Sequence, residues 1–309
     1  MPLWILQSNG TDSIHNGTFP IDEKTRIEYA VATRRNKRPY QHDHYLVIEN
    51  PTGLIAVLLD GVGGTRYSDL ASLWGAQAIA ARELARGERV CPVEYLESIA
   101  QRSKGICPEI NLKRLRKRFQ DILGKSKKKE IPLKKLVDTE AQALVDLVKK
   151  ATGVTCTATT FVSLGLSTDF QRSAYQQGDS LVYTRSQGRP MFSTPHTLYE
   201  LMIGQRQIYN GDEFLFSNMK NAITAGLGQC KSGATLLNKD VAEVNGTFQV
   251  GDIYGLGTDG ALACGERIFD QIASDLDISC VEAVGYILDQ SAGRTRDNQT
   301  LFLGRVLEE

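Results

Sequence analysis

Six apolar residues in succession, Leu54 to Leu59, lie between Gly53 and the sequence Asp60-Gly61-Val62-Gly63-Gly64. A run of this length bounded by glycines reads as a strand buried on both faces; periodicity alone leaves a buried helix open, and length and the flanking glycines favour the strand. Strands are also predicted at Ile27 to Thr33 and at Tyr45 to Glu49. The turn formers Asn50 to Gly53 join the second of these to the run as a hairpin, which sets Asp43 and Asp60 on neighbouring strands. Residues 1 to 25 are rich in turn formers and predict an irregular arm. From Arg66 to Gly87 the period becomes helical, with Leu70, Leu73, Trp74, Ala78, Ala81 and Leu84 on one face. Further helices are predicted over Val93 to Gln101, Asn111 to Leu123 and Leu133 to Lys150. Leu112, Leu115, Phe119 and Ile122 stripe the second of these, and Leu136, Val137, Leu144, Val145 and Val148 the third.

From Val154 the period drops to two, first in a Thr- and Val-rich stretch and then in two short strands around Gly178-Asp179-Ser180. Strands follow at Glu213 to Phe216 and at Asp252 to Gly257, the latter running into Thr258-Asp259-Gly260. Ser279 with Glu282 forms a capping box for a helix through Val281 to Gln290 that stops at Gly293, and a last strand, Thr300 to Val306, comes after Asp297-Asn298. Strands, then helices, then strands are the order expected of an α+β domain with helices covering a sheet core.

The 309 residues, 41% apolar and 23% charged, suffice for one large core, and one domain is the default. Basic and acidic residues balance at 36 each, so no overall field draws the chain to nucleic acid or a membrane. The distribution is uneven: residues 101 to 135 hold thirteen basic and three acidic side chains. The common fate of such a segment is a solvated face; the sharper reading is a docking surface, over about 111 to 135, for an acidic partner. Nucleic acid is the weaker candidate, because Phe119 is the only aromatic interleaved there. Six scattered cysteines without a C-x-x-C pair read as reduced thiols of a cytoplasmic protein, and no stretch has the length of a membrane span. Four histidines with no grouping make zinc unlikely, so any metal would be held by oxygen.

Asp60, Asp259 and Asp297 share one description, each beside an apolar strand and next to a Gly or Asn. Taken singly, each reads first as a turn residue. Rigid carboxylates of this kind also suit magnesium and manganese, and a pair of such ions can activate water for phosphoryl transfer.

In order along the chain, Asp60-Gly61-Val62-Gly63-Gly64, Gly178-Asp179-Ser180, Thr258-Asp259-Gly260 and Asp297-Asn298 resemble the signature blocks of the metal-dependent (type 2C, PPM) serine/threonine protein phosphatases. The spacing of Arg38 and Asp43 fits the block ahead of them, and the resemblance covers about residues 26 to 306. It implies a β-sandwich of two packed, mainly antiparallel sheets flanked by α-helices on both faces. It also implies one catalytic domain over 1–309, with a basic helical insertion at about 105–132. Asp60 would bridge two Mn²⁺ or Mg²⁺ ions, with the Gly61 carbonyl on the second and Asp259 and Asp297 on the first. Asp43 would orient the attacking water, Arg38 would grip the substrate phosphate, and a metal-bridging hydroxide would attack the phosphomonoester of a phosphorylated Ser/Thr protein, opposing a kinase.

The chain departs from the family's pattern at three places. His42 stands where many relatives have Glu, which weakens the expected hold on a second ion. Val62 and Thr65 occupy positions where relatives commonly place a His able to protonate the leaving group, leaving His42 or His44 as substitutes. Asp179 matches a third-metal ligand, but its usual partner is Ala263, so a third site is expected to be weak or empty; the plain alternative for Asp179 is a hairpin turn. These departures motivate an alternative function, a pseudophosphatase or regulatory binding module with the same fold.

Overall fold

The computed structural model describes residues 4–7, 11–62, 66–86, 101–128, 133–154, 157–197, 223, 227–229 and 242–308. Its strands are β1 (Trp4–Gln7), β2 (Ser13–Pro20), β3 (Thr25–Arg34), β4 (His44–Asn50), β5 (Gly53–Leu59), β6 (Thr157–Thr159), β7 (Phe161–Ser167), β8 (Gln171–Gln177), β9 (Leu181–Ser186), β10 (Arg189–Phe192), β11 (Leu227–Gln229), β12 (Ala242–Thr247), β13 (Ile253–Gly257) and β14 (Gln299–Glu308). Its helices are α1 (Ser68–Arg86), α2 (Leu112–Lys128), α3 (Leu133–Thr152), α4 (Glu266–Ala273) and α5 (Cys280–Ala292). The strand predicted at Glu213 to Phe216 lies outside the described residues, as do Gly63, Gly64, Thr65, Cys91, Cys156 and Cys230. So does the helix predicted over Val93 to Gln101, except Gln101, which is helical.

Two six-stranded sheets, ordered β1-β4-β5-β7-β8-β12 and β10-β9-β13-β14-β3-β2, pack face to face, and every pairing within them is antiparallel. The apolar run of β5 is buried on both faces because each face has a different cover. Leu54, Ala56 and Leu58 enter the sandwich interior with Tyr29, Val31, Tyr45, Tyr254 and Phe302. Val57 and Leu59 turn the other way, onto Ala76, Ile79 and Ala80 of α1. An antiparallel strand with one face on water would alternate; here the helix layer removes the alternation. The outer face of the second sheet is sealed by α4 and α5, where Ala30, Ala32, Leu301 and Leu303 meet Phe269, Val284, Ile287 and Leu288.

The predicted capping box is formed: the Ser279 hydroxyl accepts from the Glu282 N–H, and the Glu282 carboxylate accepts from the Ser279 N–H. The helical stripes also pack as expected. Leu70, Trp74 and Ala78 of α1 meet Leu115, Phe119 and Ile122 of α2 and Leu136, Leu144 and Val148 of α3. Trp74 and Phe119 stand edge to face at 5.3 Å, an arrangement worth about 1 kcal/mol beyond the area it buries.

One expectation is corrected. The described part of residues 1 to 25 is no irregular arm, since β1 pairs with β4 and β2 pairs with β3. Both are edge strands, and in β2 Phe19 is buried while most of its neighbours face solvent, so the alternation that would reveal a strand is absent. Among the described residues no helix is long and apolar enough to cross a membrane. The thiols of Cys107, Cys264 and Cys280 are free and buried, in line with the reading of the cysteines as reduced.

Candidate functional site

Antiparallel register gathers the singled-out residues at one end of the sandwich. His44 pairs with Leu59, so Asp43, just before β4, stands opposite Asp60, just after β5. Gly257 pairs with Leu301, and the Thr258 N–H donates to the Thr300 carbonyl at 3.0 Å, so Asp259 and Asp297 flank the same end of the second sheet. Asp179, in the turn between β8 and β9, faces the field of Asp43, Asp259 and Asp297. Each of the Asp residues named from sequence therefore joins one cluster, and Asp179 is at once a turn residue and a member of it.

Close backbone contacts fix the cluster. A Cβ on Gly260 would lie 1.9 Å from the Asn298 carbonyl oxygen, so only glycine lets the turn carrying Asp259 press against the start of β14. A Cβ on Gly61 would lie 2.9 Å from the Ser68 backbone and 3.0 Å from the His42 carbonyl oxygen, where α1 begins. The Asp60 carbonyl accepts from the Thr160 N–H and the Thr159 hydroxyl, both at 2.7 Å.

Asp43 is 1% exposed, and its Oδ2 accepts from the hydroxyls of Thr258 at 3.1 Å and Thr300 at 3.0 Å. A hydroxyl has one proton to give, so Thr33 donates in turn to Thr300, at 2.8 Å, and itself accepts from the Gln41 amide. This relay links a carboxylate of the first sheet to β3 and β14 of the second. Sequence reading missed Thr33, Gln41, Thr258, Thr300 and Asn298 as site residues, because threonine is an ordinary strand former. Asn298 is the hub of the neighbouring loop: its Oδ1 accepts from the His42 N–H, and its Nδ2 donates to the carbonyls of Arg35 and Tyr40. His196 was also missed, and an isolated His gave no signal. Its Nδ1 accepts from the Gly178 N–H at 3.3 Å and its own N–H donates to the Gly178 carbonyl at 2.8 Å, bracing the turn that carries Asp179.

Burial and the neighbouring carboxylates raise the pKa values of Asp43, Asp60, Asp179 and Asp259. Burial, partly offset by hydrogen bonds, pushes Asp43 up to about 7. Burial, then the nearby Asp259, pushes Asp179 up to about 8. Burial and the adjacent Asp43 raise Asp60 well above its usual value. Asp259 is raised by desolvation and by Asp297. Arg38 is the counter-charge, its Nε and Nη2 donating to the two oxygens of Asp297 at 2.9 and 2.8 Å. His44 is 3% exposed and pushed down to about 3, chiefly by burial, so it holds no proton to give at neutral pH.

The residues fit divalent cations. Asp43 Oδ1 and Asp179 Oδ1 are buried and meet no donor, an expensive condition for a carboxylate oxygen that a hard cation relieves. Five carboxylates beside Arg38, all ionised, would carry four negative charges, which two divalent ions match. Among the described residues, no group of three His, Cys, Asp or Glu side chains already stands as a ready cage for a metal ion. Arg38 clasps Asp297, and burial beside Asp43 disfavours the charged form of Asp60, two ways in which an acidic cluster limits its own repulsion.

The stability of the metal-free protein carries this signature. Groups raised from 3.8 toward 7 or 8 bind more protons folded than unfolded, so their contribution to stability is lost as pH rises through those values. His44, lowered from 6.5, acts in the opposite sense, its contribution being lost as pH falls below 6.5, and it adds no slope above that pH. In EDTA, Tm is expected to fall between about pH 6.5 and 8, and MnCl₂ is expected to raise Tm most at the alkaline end. A flat or rising Tm over that window in EDTA would contradict the assignment.

No protein-family profile matches the sequence, and no curated protein matches it. Solved structures do. The Mycobacterium tuberculosis serine/threonine phosphatase PstP/Ppp superposes with a TM-score of 0.61 at 16% identity, over 92% of this chain and 99% of that one. The S. agalactiae serine/threonine phosphatase gives 0.62 at 16% identity, over 90% and 99%. The catalytic domain of PstP in complex with two manganese ions gives 0.59 at 15% identity, over 92% and 99%. The chain has the fold of the PPM serine/threonine phosphatases. In that fold the Asp cluster lies at one end of the sandwich, with α1 starting beside it at Ser68.

Proposed function

We propose that the chain is a Mn²⁺- or Mg²⁺-dependent phosphoprotein phosphatase acting on phosphoserine and phosphothreonine, with 1–309 as one catalytic domain and the basic helical segment at about 105–132 as an elaboration of it. The observation that carries this reading is the cluster of five Asp residues at one end of the phosphatase fold, in which Asp43 Oδ1 and Asp179 Oδ1 are buried and unpartnered. Asp60, the Gly61 carbonyl, Asp259 and Asp297 would hold two ions, with Asp179 available to a third. Bound ions would supply Lewis acidity and an activated water for attack at phosphorus. Asp43, held by Thr258 and Thr300, would orient a water molecule by accepting its proton in a hydrogen bond.

Arg38 presents a planar fork suited to two phosphate oxygens. To do so it exchanges one bidentate anion, Asp297, for another. Its side chain is 44% exposed and that of Asp297 37%, so the pair costs about 0–1 kcal/mol to open. The low cost makes the clasp a resting state and no barrier to use of either group.

The absence of a ready metal cage among the described residues favours one second reading, a pseudophosphatase that keeps the fold as a binding module. Hydrolysis of p-nitrophenyl phosphate by the full chain separates the two. Turnover that needs MnCl₂ or MgCl₂ and disappears in EDTA is expected; no turnover on this substrate or on a phosphoserine peptide at any metal concentration would leave the binding module.

A further inference from the structure

Among the described residues, helix α2 carries more positive charge than its neighbours pair. Its inward face is well accounted for. Leu115, Phe119 and Ile122 are buried, and Arg118 donates through Nε and Nη2 to the two oxygens of Glu140 on α3 at 2.9 and 2.8 Å. The outward face holds Lys113, Arg114 and Lys117, all exposed and without a side-chain partner among the described residues. The first turn has no acidic residue, so Lys113 and Arg114 sit at the positive end of the helix dipole, and Lys113 lies one turn from Lys117 as a like charge. Both placements disfavour the helix. The start of the helix is otherwise well made, since Asn111 Oδ1 accepts from the Arg114 N–H at 3.0 Å. A sequence that closes the cap yet stacks cations on it keeps them for something outside the fold.

The buried face of α2 packs at the start of α1, which begins beside Gly61. Tyr67 packs in the same apolar group as Cys107, Ile110 and Leu115, and the next residue, Ser68, touches Gly61. The approach to α2 and the acidic end of the sandwich therefore meet on either side of the first turn of α1. Asp259 is exposed at that end, so the cluster repels an acidic polypeptide coming toward it.

We propose that Lys113, Arg114 and Lys117 dock an acidic segment of the phosphoprotein substrate, next in sequence to its phosphorylated residue. The proposal rests on the phosphatase reading of the Asp cluster and names the class of substrate that reading leaves open. Charge complementarity selects the occupant. The face has no exposed aromatic ring, Phe119 being 1% exposed, so it offers nothing for nucleic-acid bases to stack on. Holding the acidic flank on α2 keeps it off the carboxylates while the phosphate enters.

The test uses the full chain, two phosphoserine peptides that differ only in a flank of Glu or Gln, and the triple variant Lys113→Gln, Arg114→Gln, Lys117→Gln. Wild type is expected to prefer the Glu peptide in kcat/KM by about tenfold at low salt, the sum expected of three exposed ion pairs. The preference should vanish in the variant and in about 0.5 M NaCl, where screening is short-ranged. Hydrolysis of p-nitrophenyl phosphate should be unchanged, and Tm unchanged or higher because like-charge repulsion is removed. Equal kcat/KM on the two peptides in wild type, or a preference that survives in the variant, would overturn the proposal. So would tighter binding of single-stranded DNA or anionic vesicles than of the Glu peptide. Fluorescence anisotropy with non-hydrolysable phosphonate versions of both peptides reads docking without catalysis. A Glu preference lost in the variant would support docking even in a protein that hydrolyses nothing, and its absence in wild type would overturn docking even in an active enzyme.

Discussion

Asp60→Asn is expected to lower kcat/KM for Mn²⁺-dependent hydrolysis of p-nitrophenyl phosphate by about 10³-fold or more, because in the proposed site Asp60 would be shared by two ions and contribute several kcal/mol to stabilising charge in the transition state. The substitution is nearly isosteric and keeps the backbone bonds of the Asp60 carbonyl to Thr159 and Thr160. It also removes a carboxyl whose charged form is strongly disfavoured by burial and by Asp43. In EDTA the variant is therefore expected to melt at the same temperature as wild type or higher, and to show a smaller gain from MnCl₂. The two readouts move in opposite directions, which a merely misfolded variant cannot reproduce. Activity within about threefold of wild type, well short of the loss of a metal ligand, would remove Asp60 from the mechanism.

Gly260→Ala is the second large effect, and it acts on the scaffold of the site. The added methyl would lie 1.9 Å from the Asn298 carbonyl oxygen and 3.0 Å from its carbon, so two backbones must separate. Asn298 cannot yield alone, because its side chain holds His42, Arg35 and Tyr40 together. The loop that carries Arg38 would move with it. Overpacking against backbone is expected to cost about 3 kcal/mol, seen as a fall in Tm of roughly 5 °C for a chain of this size, with loss of metal-dependent activity. Gly285→Ala, in α5 with nothing within 4 Å of the added methyl, is the matched control and should raise stability by about 0.5–1 kcal/mol. A Gly260→Ala protein with wild-type Tm and activity would show that the contact between the turn and β14 is dispensable.

Much of the site was legible along the chain because its members sit at strand ends marked by small residues. Asp60, Asp179 and Asp259 each adjoin a glycine, and Asp297 adjoins Asn298. The hairpin through Asn50 to Gly53 already put Asp43 beside Asp60, and the register of His44 with Leu59 agrees. The helical stripes of α1, α2 and α3 were legible for a similar local reason, since one face of each packs on the same layer. Edge strands were not legible. In β2 most side chains face solvent, and its strand character comes from pairing with β3.

By itself, then, the sequence determined the elements with a buried stripe or a doubly covered strand, the carboxylates at their ends, and the resemblance to a phosphatase family carried by those short blocks. Only the tertiary structure decided what those carboxylates do to one another. Asp43 hangs from Thr258 and Thr300 of the opposite sheet, burial and its charge raise the pKa of Asp60, and Arg38 clasps Asp297 from a loop 259 residues away in sequence. The physical reason is distance. Burial, charge repulsion and hydrogen-bond direction act through space over a few ångströms, and residues so far apart in the chain carry no local pattern that announces such contacts. The run Leu54 to Leu59 shows both sides of this. Its composition fixed it as a buried strand, but the layers that bury it, the sandwich interior on one face and α1 on the other, exist only once the chain has closed around it.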